Sequence, residues 1–197
     1  GDAEKLFIKA HNIFKNIAED DNNIAWTLVW LGVIKRNGGE YEESIDLLNQ
    51  AIKIYTKNKN EESLYWANVY LGNSYAKMGK NSKAKDILEK AKSFFIEKHS
   101  STHHRIAWLS TYLGEVYTNI GDYTKAKESL DLSLLLHKKF FGKNHPKVAW
   151  SIENLANLNK SLGRFDRAKL LSKRAIDIYS SNKPTSYLAL SRTKMLL

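Results

Sequence analysis

Cysteine is missing from the 197-residue sequence, and proline and glycine are scarce. Without a thiol the chain can form no disulfide and no thiolate metal site, and it can carry no cysteine nucleophile. Two prolines and ten glycines are few for an all-β protein with many turns, and they fit long helices with short connections better. Hydrophobic residues still make up 43% of the chain, which is enough for a core. The absence of cysteine fits a reducing compartment, and we expect a cytoplasmic protein.

Long apolar runs are also missing. No stretch of about eighteen or more apolar residues occurs, and the start, Gly1 to Lys5, lacks the layout of a signal peptide. We therefore expect a chain that does not insert into a membrane. The start at Gly1 and the abrupt end at Leu197 indicate a piece of a longer protein.

Motifs for catalysis and metal binding are absent as well. There is no Gly-rich phosphate loop, no Gly-x-Ser-x-Gly elbow and no His-Glu-x-x-His helix, and Gly38-Gly39 is interpreted as the end of a helix. His103 and His104 have no acidic or histidine partner at ligand spacing. His103 aligns with His145 in the repeat described next, and both precede a predicted helix, where capping is expected. The sequence predicts a protein that is not an enzyme and that has no metal site and no cofactor.

A four-fold internal repeat dominates the sequence. Its first column is a tryptophan that closes a short apolar phrase, at Trp26, Trp66, Trp108 and Trp150. Its second column is a Leu-Gly or Leu-Ala pair, at Leu31-Gly32, Leu71-Gly72, Leu113-Gly114 and Leu155-Ala156. A second glycine follows seven residues later, at Gly39, Gly79, Gly121 and Gly163. Small residues form two more columns, at Ser44, Ala84, Ala126 and Ala168 and at Ala51, Ala91, Ser133 and Ala175. The Leu-Gly columns are 40, 42 and 42 residues apart.

Each repeat is predicted to be a pair of antiparallel helices. The first helix carries apolar residues at helical spacing and ends at the second glycine, which can take the left-handed conformation. In three of the four repeats an aromatic ring begins the second helix and can fill the turn; the four positions are Tyr41, Asn81, Tyr123 and Phe165. Because no repeat can bury its apolar face alone, the repeats must stack into one solenoid over residues 1–197.

Four complete repeats are predicted, with a partial repeat at each end. The complete repeats cover residues 22–59, 61–100, 104–142 and 146–182. Ala3, Phe7 and Ala10 match the small-large-small columns of a second helix. Residues 1–17 are therefore predicted to be the second helix of a repeat whose first helix is missing. Residues 184–197 are predicted to start a further helix.

These columns resemble those of the tetratricopeptide repeat (TPR) family. The resemblance rests on the Leu-Gly pair, the tyrosines that follow it at Tyr75 and Tyr117, the Gly-x-Tyr turn and the spaced alanines. The 42-residue period and the loop at residues 142–146 resemble the longer repeats of kinesin light chains. The resemblance implies an all-α fold, a right-handed α-solenoid of antiparallel helix pairs. It also implies a concave groove, lined by the first helices, that receives a peptide.

The tryptophan column departs from the family pattern. The family has its tryptophan three residues before the Leu-Gly pair, where this chain has Leu28, Asn68, Ser110 and Ile152. The tryptophans of this chain come two residues earlier, which is a rotation of about 200° on an α-helix. We therefore expect them to face away from the contact within the repeat and toward the groove.

The predicted peptide-binding residues lie on this groove face. Each tryptophan has a partner four residues later, and residues four apart share a face of a helix. We call the eight positions the aromatic ladder: Trp26, Trp30, Trp66, Tyr70, Trp108, Tyr112, Trp150 and Asn154. Polar residues extend the predicted site, at Asn73, Glu115, Glu153 and Asn157. The groove would be apolar toward the N-terminus and acidic toward the C-terminus. In the alternative interpretation the rings only pack one first helix against the next, and the two interpretations can coexist.

The net charge of +10 lies outside the predicted groove. The first helices, predicted at 24–37, 64–77, 106–119 and 148–161, contain few of the 31 Lys and Arg residues, namely Lys35, Arg36, Lys77 and Lys160. The remaining positive charge belongs to second helices and loops, which form the convex surface of a solenoid. Aromatic and basic residues are separated in the sequence, and no nucleic-acid-binding motif occurs. We interpret the basic face as solvated and expect no nucleic-acid partner.

Three functions fit these patterns. The leading one is a protein–protein interaction module that binds a peptide or a helical segment of a partner in the concave groove through the aromatic ladder. The first alternative is a structural scaffold that associates end to end, because several apolar side chains of residues 1–17 lack a preceding helix; they are Leu6, Phe7, Ile13 and Phe14. The second alternative is a regulatory or sensor domain of a larger protein.

Overall fold

The computed structural model describes residues 2–17 and 21–182, and within them every regular element is an α-helix. The predicted all-α fold is therefore confirmed for these residues. The helices are α1 (Asp2–Ile17), α2 (Asp21–Asn37), α3 (Tyr41–Lys57), α4 (Glu61–Lys77), α5 (Asn81–Lys98), α6 (His104–Ile120), α7 (Tyr123–Phe141), α8 (Pro146–Ser161) and α9 (Phe165–Ser181). The further helix predicted for residues 184–197 lies outside the described residues. No helix in the described ranges is both long enough and apolar enough to cross a bilayer.

The chain forms two compact units, Gly1–Phe94 and Phe95–Leu197, which we call unit 1 and unit 2. In unit 1, α1 packs on α2, α2 packs on α3 and α4, and α3 packs on α4. In unit 2, α6 packs on α7 and α8, and α8 packs on both α7 and α9. Most of α5 belongs to unit 1, and its last residues belong to unit 2.

The glycine columns explain both the ends of the first helices and their packing. The second glycine of every repeat has a positive φ, between 70° at Gly163 and 87° at Gly39, so the predicted helix stops are confirmed. The first glycine faces the second helix of its own repeat. A Cβ atom on Gly32 would lie 2.9 Å from Leu48 Cγ, and one on Gly72 would lie 2.8 Å from Leu88 Cγ. At these two positions a side chain would force the leucine to shift, whereas the fourth repeat accommodates Ala156.

The prediction of burial is confirmed for the small-residue columns but not for every aromatic ring at the turns. The small residues of the second helices are buried, as predicted; they are Ser44, Ala84, Ala126, Ala168, Ala51, Ala91, Ser133 and Ala175. The aromatic rings at the turns fill less space than predicted. Tyr41 is half-buried, Tyr123 is exposed, and Phe165 is 67% exposed. The prediction that a ring fills the turn is wrong at Phe165, where the ring projects to solvent at the start of α9.

Helix α1 is held against the other helices of unit 1 by an apolar and a charged contact. The ring of Phe7 packs on α2. The ammonium group of Lys35 on α2 contacts the carboxylates of Glu4 on α1 and Glu43 on α3, at 3.1 and 3.2 Å. It also contacts Glu40 at 3.0 Å. These hydrogen bonds raise the pKa of Lys35.

Candidate binding surface

The aromatic ladder of unit 1 is a continuous series of ring contacts. Trp26 and Trp30 lie on α2 with their ring centroids 6.3 Å apart, and Trp66 and Tyr70 lie on α4 with theirs 5.5 Å apart. Trp30 joins the two helices, since its ring lies 6.0 Å from that of Tyr70. Phe7 on α1 extends the series, with its ring 5.5 Å from that of Trp26. The rings predicted to share one face therefore do so and also connect neighbouring helices.

Burial increases along the ladder of unit 1. Trp26 is 47% exposed, and Trp30 and Trp66 are half-buried. Tyr70 is buried, and the guanidinium of Arg36 lies 5.8 Å from the centre of its ring. The indoles thus combine packed faces with accessible area, which is the arrangement in which the two interpretations of the ladder coexist.

A lysine lies against the aromatic ladder of unit 2. The Nζ atom of Lys147 lies 3.8 Å from the centre of the Trp108 ring and 5.5 Å from the centre of the Trp150 ring. Trp150 also contacts Tyr112, with ring centroids 5.1 Å apart. Both tryptophans are half-buried and Tyr112 is buried. Burial lowers the pKa of Lys147. The rings supply a negative π face that stabilises this cation.

Sequence reasoning missed Lys147 because it placed the fourth first helix at residues 148–161. The structure begins α8 at Pro146, and the proline at the first helical position is a signal that could have corrected the boundary. The same correction applies to α6, which begins at His104 and therefore includes Arg105. The first helices carry more positive charge than the sequence ranges indicated.

The polar residues of the predicted site are mostly buried. Asn73 is 2% exposed, and Asn154 is buried with its side-chain nitrogen donating to the carbonyl oxygen of Trp150 at 2.9 Å. Glu153 is 2% exposed. Glu115 and Asn157 are half-buried. Of these five polar residues, Glu115 and Asn157 have the most surface available to a partner.

A buried polar cluster lies beneath the ladder of unit 2. His137 on α7 accepts or donates through Nδ1 to the hydroxyl of Ser151 at 2.8 Å, and the Ser133 hydroxyl lies 2.8 Å from that of Ser151. Thr111 on α6 completes the cluster through a bond to Ser133. The ring of His137 lies 6.0 Å from that of Trp150. Burial, together with the charges of Lys147 and His145, lowers the pKa of His137 to about 4.

The cluster does not have the geometry of a catalytic site. His137, Ser133, Ser151 and Thr111 are all fully buried, so no substrate reaches the hydroxyl groups. The Nε2 atom of His137 makes no hydrogen bond within the described residues. A serine beside a histidine acts as a nucleophile only where the reacting carbon can approach. The cluster therefore joins α6, α7 and α8 and leaves the ladder as the candidate functional surface.

The two aligned histidines differ as helix caps. His145 precedes α8, and its Nδ1 accepts a hydrogen bond from the backbone N–H of Lys147 at 3.1 Å, so the expected cap is confirmed there. His103 precedes α6, but its side chain makes no cap hydrogen bond. Its ring stacks instead on that of His99, with centroids 4.2 Å apart. The capping prediction is wrong at His103.

The repeat columns and the helix pairs are those of a known family. The sequence profile of the tetratricopeptide repeat matches residues 1–57 and 105–181, and a second tetratricopeptide repeat profile matches residues 66–95. The chain belongs to the tetratricopeptide repeat family. The resemblance of its columns to TPR sequences is thereby confirmed. No curated protein matches the chain.

Solved structures with the same fold include proteins of the kinesin light chain type. BtubC (BKLC) from P. vanneervenii superposes with a TM-score of 0.77 at 18% identity, covering 98% of this chain and 80% of the other. A Podosopora anserina protein assigned as a kinesin light chain, with nearly identical TPR-like repeats, has a TM-score of 0.60 at 20% identity, covering 93% and 89%. The apo form of RapI has a TM-score of 0.68 at 16% identity, covering 98% of this chain and 54% of RapI. At these identities the likeness establishes the TPR fold alone.

Proposed function

We propose that the chain is a protein–protein interaction module that binds a segment of a partner protein through the aromatic ladder. The observation that carries this proposal is the partial exposure of Trp26, Trp66 and Trp108 on the first helices. A tryptophan that only packs one helix against another stabilises the fold most when it is completely buried. Large amphipathic rings that keep accessible area are typical anchors of protein interfaces.

Different ladder residues have different roles in this proposal. The half-buried indoles contact the partner, and the buried Tyr70 and Tyr112 hold those indoles in position from beneath. Asn157 and Glu115 supply polar contacts at the edge. Asn73, Glu153 and Asn154 contribute by fixing the helices, since their side chains are buried.

The charge of the ladder favours different partner side chains in the two units. In unit 1 the rings offer an apolar surface, which favours aliphatic or aromatic side chains. In unit 2 the sequence predicts an acidic surface that favours a Lys or Arg of the partner. The structure buries Glu153 and places Lys147 between Trp108 and Trp150. We therefore propose that a carboxylate of the partner is favoured at this position.

The proposal is tested with peptides selected from a displayed library on the wild-type chain. Selected peptides should bind the Trp66→Ala or Trp108→Ala variant about thirtyfold more weakly, because truncation of an interface tryptophan commonly costs about 2 kcal/mol. Leu135→Ala is the matched control, since Leu135 is an exposed apolar residue of α7 outside the ladder. Peptides that bind all four proteins equally would show that the ladder is not the binding surface.

Self-association is a second candidate function, favoured by the surface of α1. Leu6 and Ile13, which are seven residues apart and share a helix face, are 68% and 46% exposed. Phe7 packs into the ladder of unit 1 and is not part of this surface. The apolar face of α1 would be covered in an end-to-end assembly. The alternative of a regulatory or sensor domain in a larger protein stays a prediction.

A further inference from the structure

A small cavity lies between α7, α8 and α9 of unit 2. Its volume is about 200 Å³, and no member of the aromatic ladder lines it. Its apolar wall consists of Leu134, Leu155, Leu158, Leu162 and Leu171. Leu134 and Leu171 also pack against the buried core around Ile152 and Tyr179. The cavity is therefore an apolar recess at the margin of a well-packed core.

Positive charge surrounds this recess. The charged lining residues are Lys127, Asp131, Arg164 and Arg167. Lys127 and Asp131 form an ion pair one turn apart on α7, so their charges offset each other. Arg164 and Arg167 are exposed, and neither makes an ion pair or a side-chain hydrogen bond with any residue in the described ranges. Two guanidinium groups that form no ion pair with the described part of the chain thus border an apolar cavity.

The start of α9 places the two arginines on the same side of the helix. Arg164 is the N-cap residue and Arg167 follows three positions later, and residues three apart are neighbours on a helix surface. The first-turn N–H groups of α9 add a positive partial charge there. Asp166 also lies in this turn but does not line the cavity, and Glu128 lines a neighbouring cleft of about 400 Å³ that it shares with Arg164.

We infer that this cavity binds a small aliphatic carboxylate of about six carbons, with its chain between the leucines and its carboxylate at Arg164 and Arg167. Apolar cavities of about 150 Å³ accept a six-carbon ring, so a volume of about 200 Å³ matches a ligand of this size and is too small for a long lipid chain. Arginine pairs with carboxylates through two parallel N–H donors. The side-chain amide of Asn159 donates one of its two N–H groups to the Leu155 carbonyl oxygen at 2.7 Å, and Lys127 is paired with Asp131, so the arginines are the cationic donors that have no ion pair in the described ranges.

The experiment measures hexanoate and hexanamide binding to the full chain by ligand-observed NMR and calorimetry. Hexanoate should bind with a Kd of about 1 mM or tighter. Hexanamide, which has the same chain without the charge, should bind about tenfold or more weakly. The double variant Arg164→Gln, Arg167→Gln should weaken hexanoate binding to the same extent. Lys173→Gln with Arg174→Gln is the matched control, because these exposed residues of α9 remove equal charge away from the cavity.

Two further measurements test where the ligand binds and whether it is a free acid or the end of a peptide. Leu162→Trp should fill the cavity and abolish binding, and the exposed arginine variants test the same site if that variant fails to fold. A peptide that ends in a free leucine also carries a carboxylate beside an aliphatic side chain, but it is too large for a cavity of about 200 Å³ and should not displace hexanoate. Displacement by the peptide would overturn the assignment of a free acid. Equal binding of hexanoate and hexanamide, or no saturation at about 10 mM, would overturn the inference. Trp66→Ala and Trp108→Ala should leave hexanoate binding unchanged, so this inference and the proposed ladder function fail independently.

Discussion

The hydroxyl group of Tyr179 donates a hydrogen bond to the carboxylate of Glu153, with 3.1 Å between the oxygen atoms. Both side chains are buried, and the bond joins α9 to α8. A carboxylate removed from water depends on such donors, because an unsatisfied buried charge is costly. The hydroxyl of Tyr179 therefore contributes to the stability of unit 2.

Removal of this hydroxyl should destabilise the chain. Tyr179→Phe keeps the ring and removes one donor to Glu153, and we expect it to lower the free energy of unfolding by about 2 kcal/mol. Chemical denaturation measures the loss. Tyr123→Phe is the control, because Tyr123 is exposed and its change should stay within about 0.5 kcal/mol. Equal stability of the two variants would show that Glu153 does not need this donor.

The ladder and the core should respond differently to truncation. Leu113 on α6 is 1% exposed, and Leu113→Ala should cost about 2–5 kcal/mol of unfolding free energy. Trp108 is half-buried, and Trp108→Ala should cost clearly less while it weakens partner binding by about 2 kcal/mol. Denaturation and peptide titration of both variants give the comparison. If both variants lose equal stability and keep their affinity per folded molecule, the ladder belongs to the core.

Acid should destabilise the folded chain through His137. Its pKa is lowered from an ordinary 6.5 to about 4, so the unfolded chain binds this proton first. The free energy of unfolding therefore keeps its full value, as far as His137 is concerned, above pH 6.5. It falls by about 1.4 kcal/mol per pH unit as the pH drops toward 4, which is about 3 kcal/mol in all. The difference in unfolding free energy between wild type and His137→Gln should therefore shrink over this range. Parallel curves for the two proteins would contradict the prediction.

The basic second helices should bind nucleic acid only weakly. Their lysines and arginines are mostly exposed, and the prominent groups are Lys80, Lys83, Lys85, Lys90 and Lys92 on and before α5, and Arg164, Arg167, Lys169, Lys173 and Arg174 on and before α9. Binding measured by fluorescence anisotropy should be independent of sequence and should disappear at moderate salt. Tight, sequence-selective binding at physiological salt would refute this. The triple variant Lys83→Glu, Lys85→Glu, Lys90→Glu would then locate the contact.

The exposed face of α1 should produce association that depends on concentration. Light scattering should show a mass that rises with concentration, and Leu6→Ser with Ile13→Ser should suppress the rise. These changes should leave unit 2 folded, because stability in repeat arrays depends on neighbouring repeats. Phe7→Ser is the contrasting variant, because Phe7 contacts Trp26 and Trp30 and its loss should disturb the ladder. A wild-type chain that remains monomeric at high concentration would contradict the proposal.

The helix ends could be predicted because a backbone requirement fixes them. Gly39 and its equivalents must take a positive φ, and that requirement is visible in one residue type. The burial of ladder rings could not be predicted in the same way. Trp26 and Tyr70 occupy equally good positions on their helices, but the distance to the neighbouring helix leaves one half-exposed and buries the other. Lys147 was left out of the predicted first helix because the start of α8 was placed two residues too late.

The sequence also contains a signal that position 137 holds a buried ring. Tyr55, Phe95, His137 and Tyr179 are 40, 42 and 42 residues apart, and all four are buried. The column predicts a large ring at position 137, but the ring type alone does not predict its hydrogen bonds. Those require Ser133 and Ser151, and Ser133 stands where the other repeats have alanine.

The serine at position 133, where the other repeats have alanine, limits how freely the repeats can be exchanged. The bonds of His137 cross from α7 to Ser151 on α8, so the third helix pair matches only a successor that offers a hydroxyl at that position. A hybrid chain that transplants residues 104–142 next to the repeat that carries Ala67 at this position would bring a histidine and a serine to an apolar partner, whereas the repeat with Thr27 offers a hydroxyl. A hybrid that moves residues 104–161 together would keep every bond of the cluster. The modular unit for engineering this part of the chain is therefore three helices long.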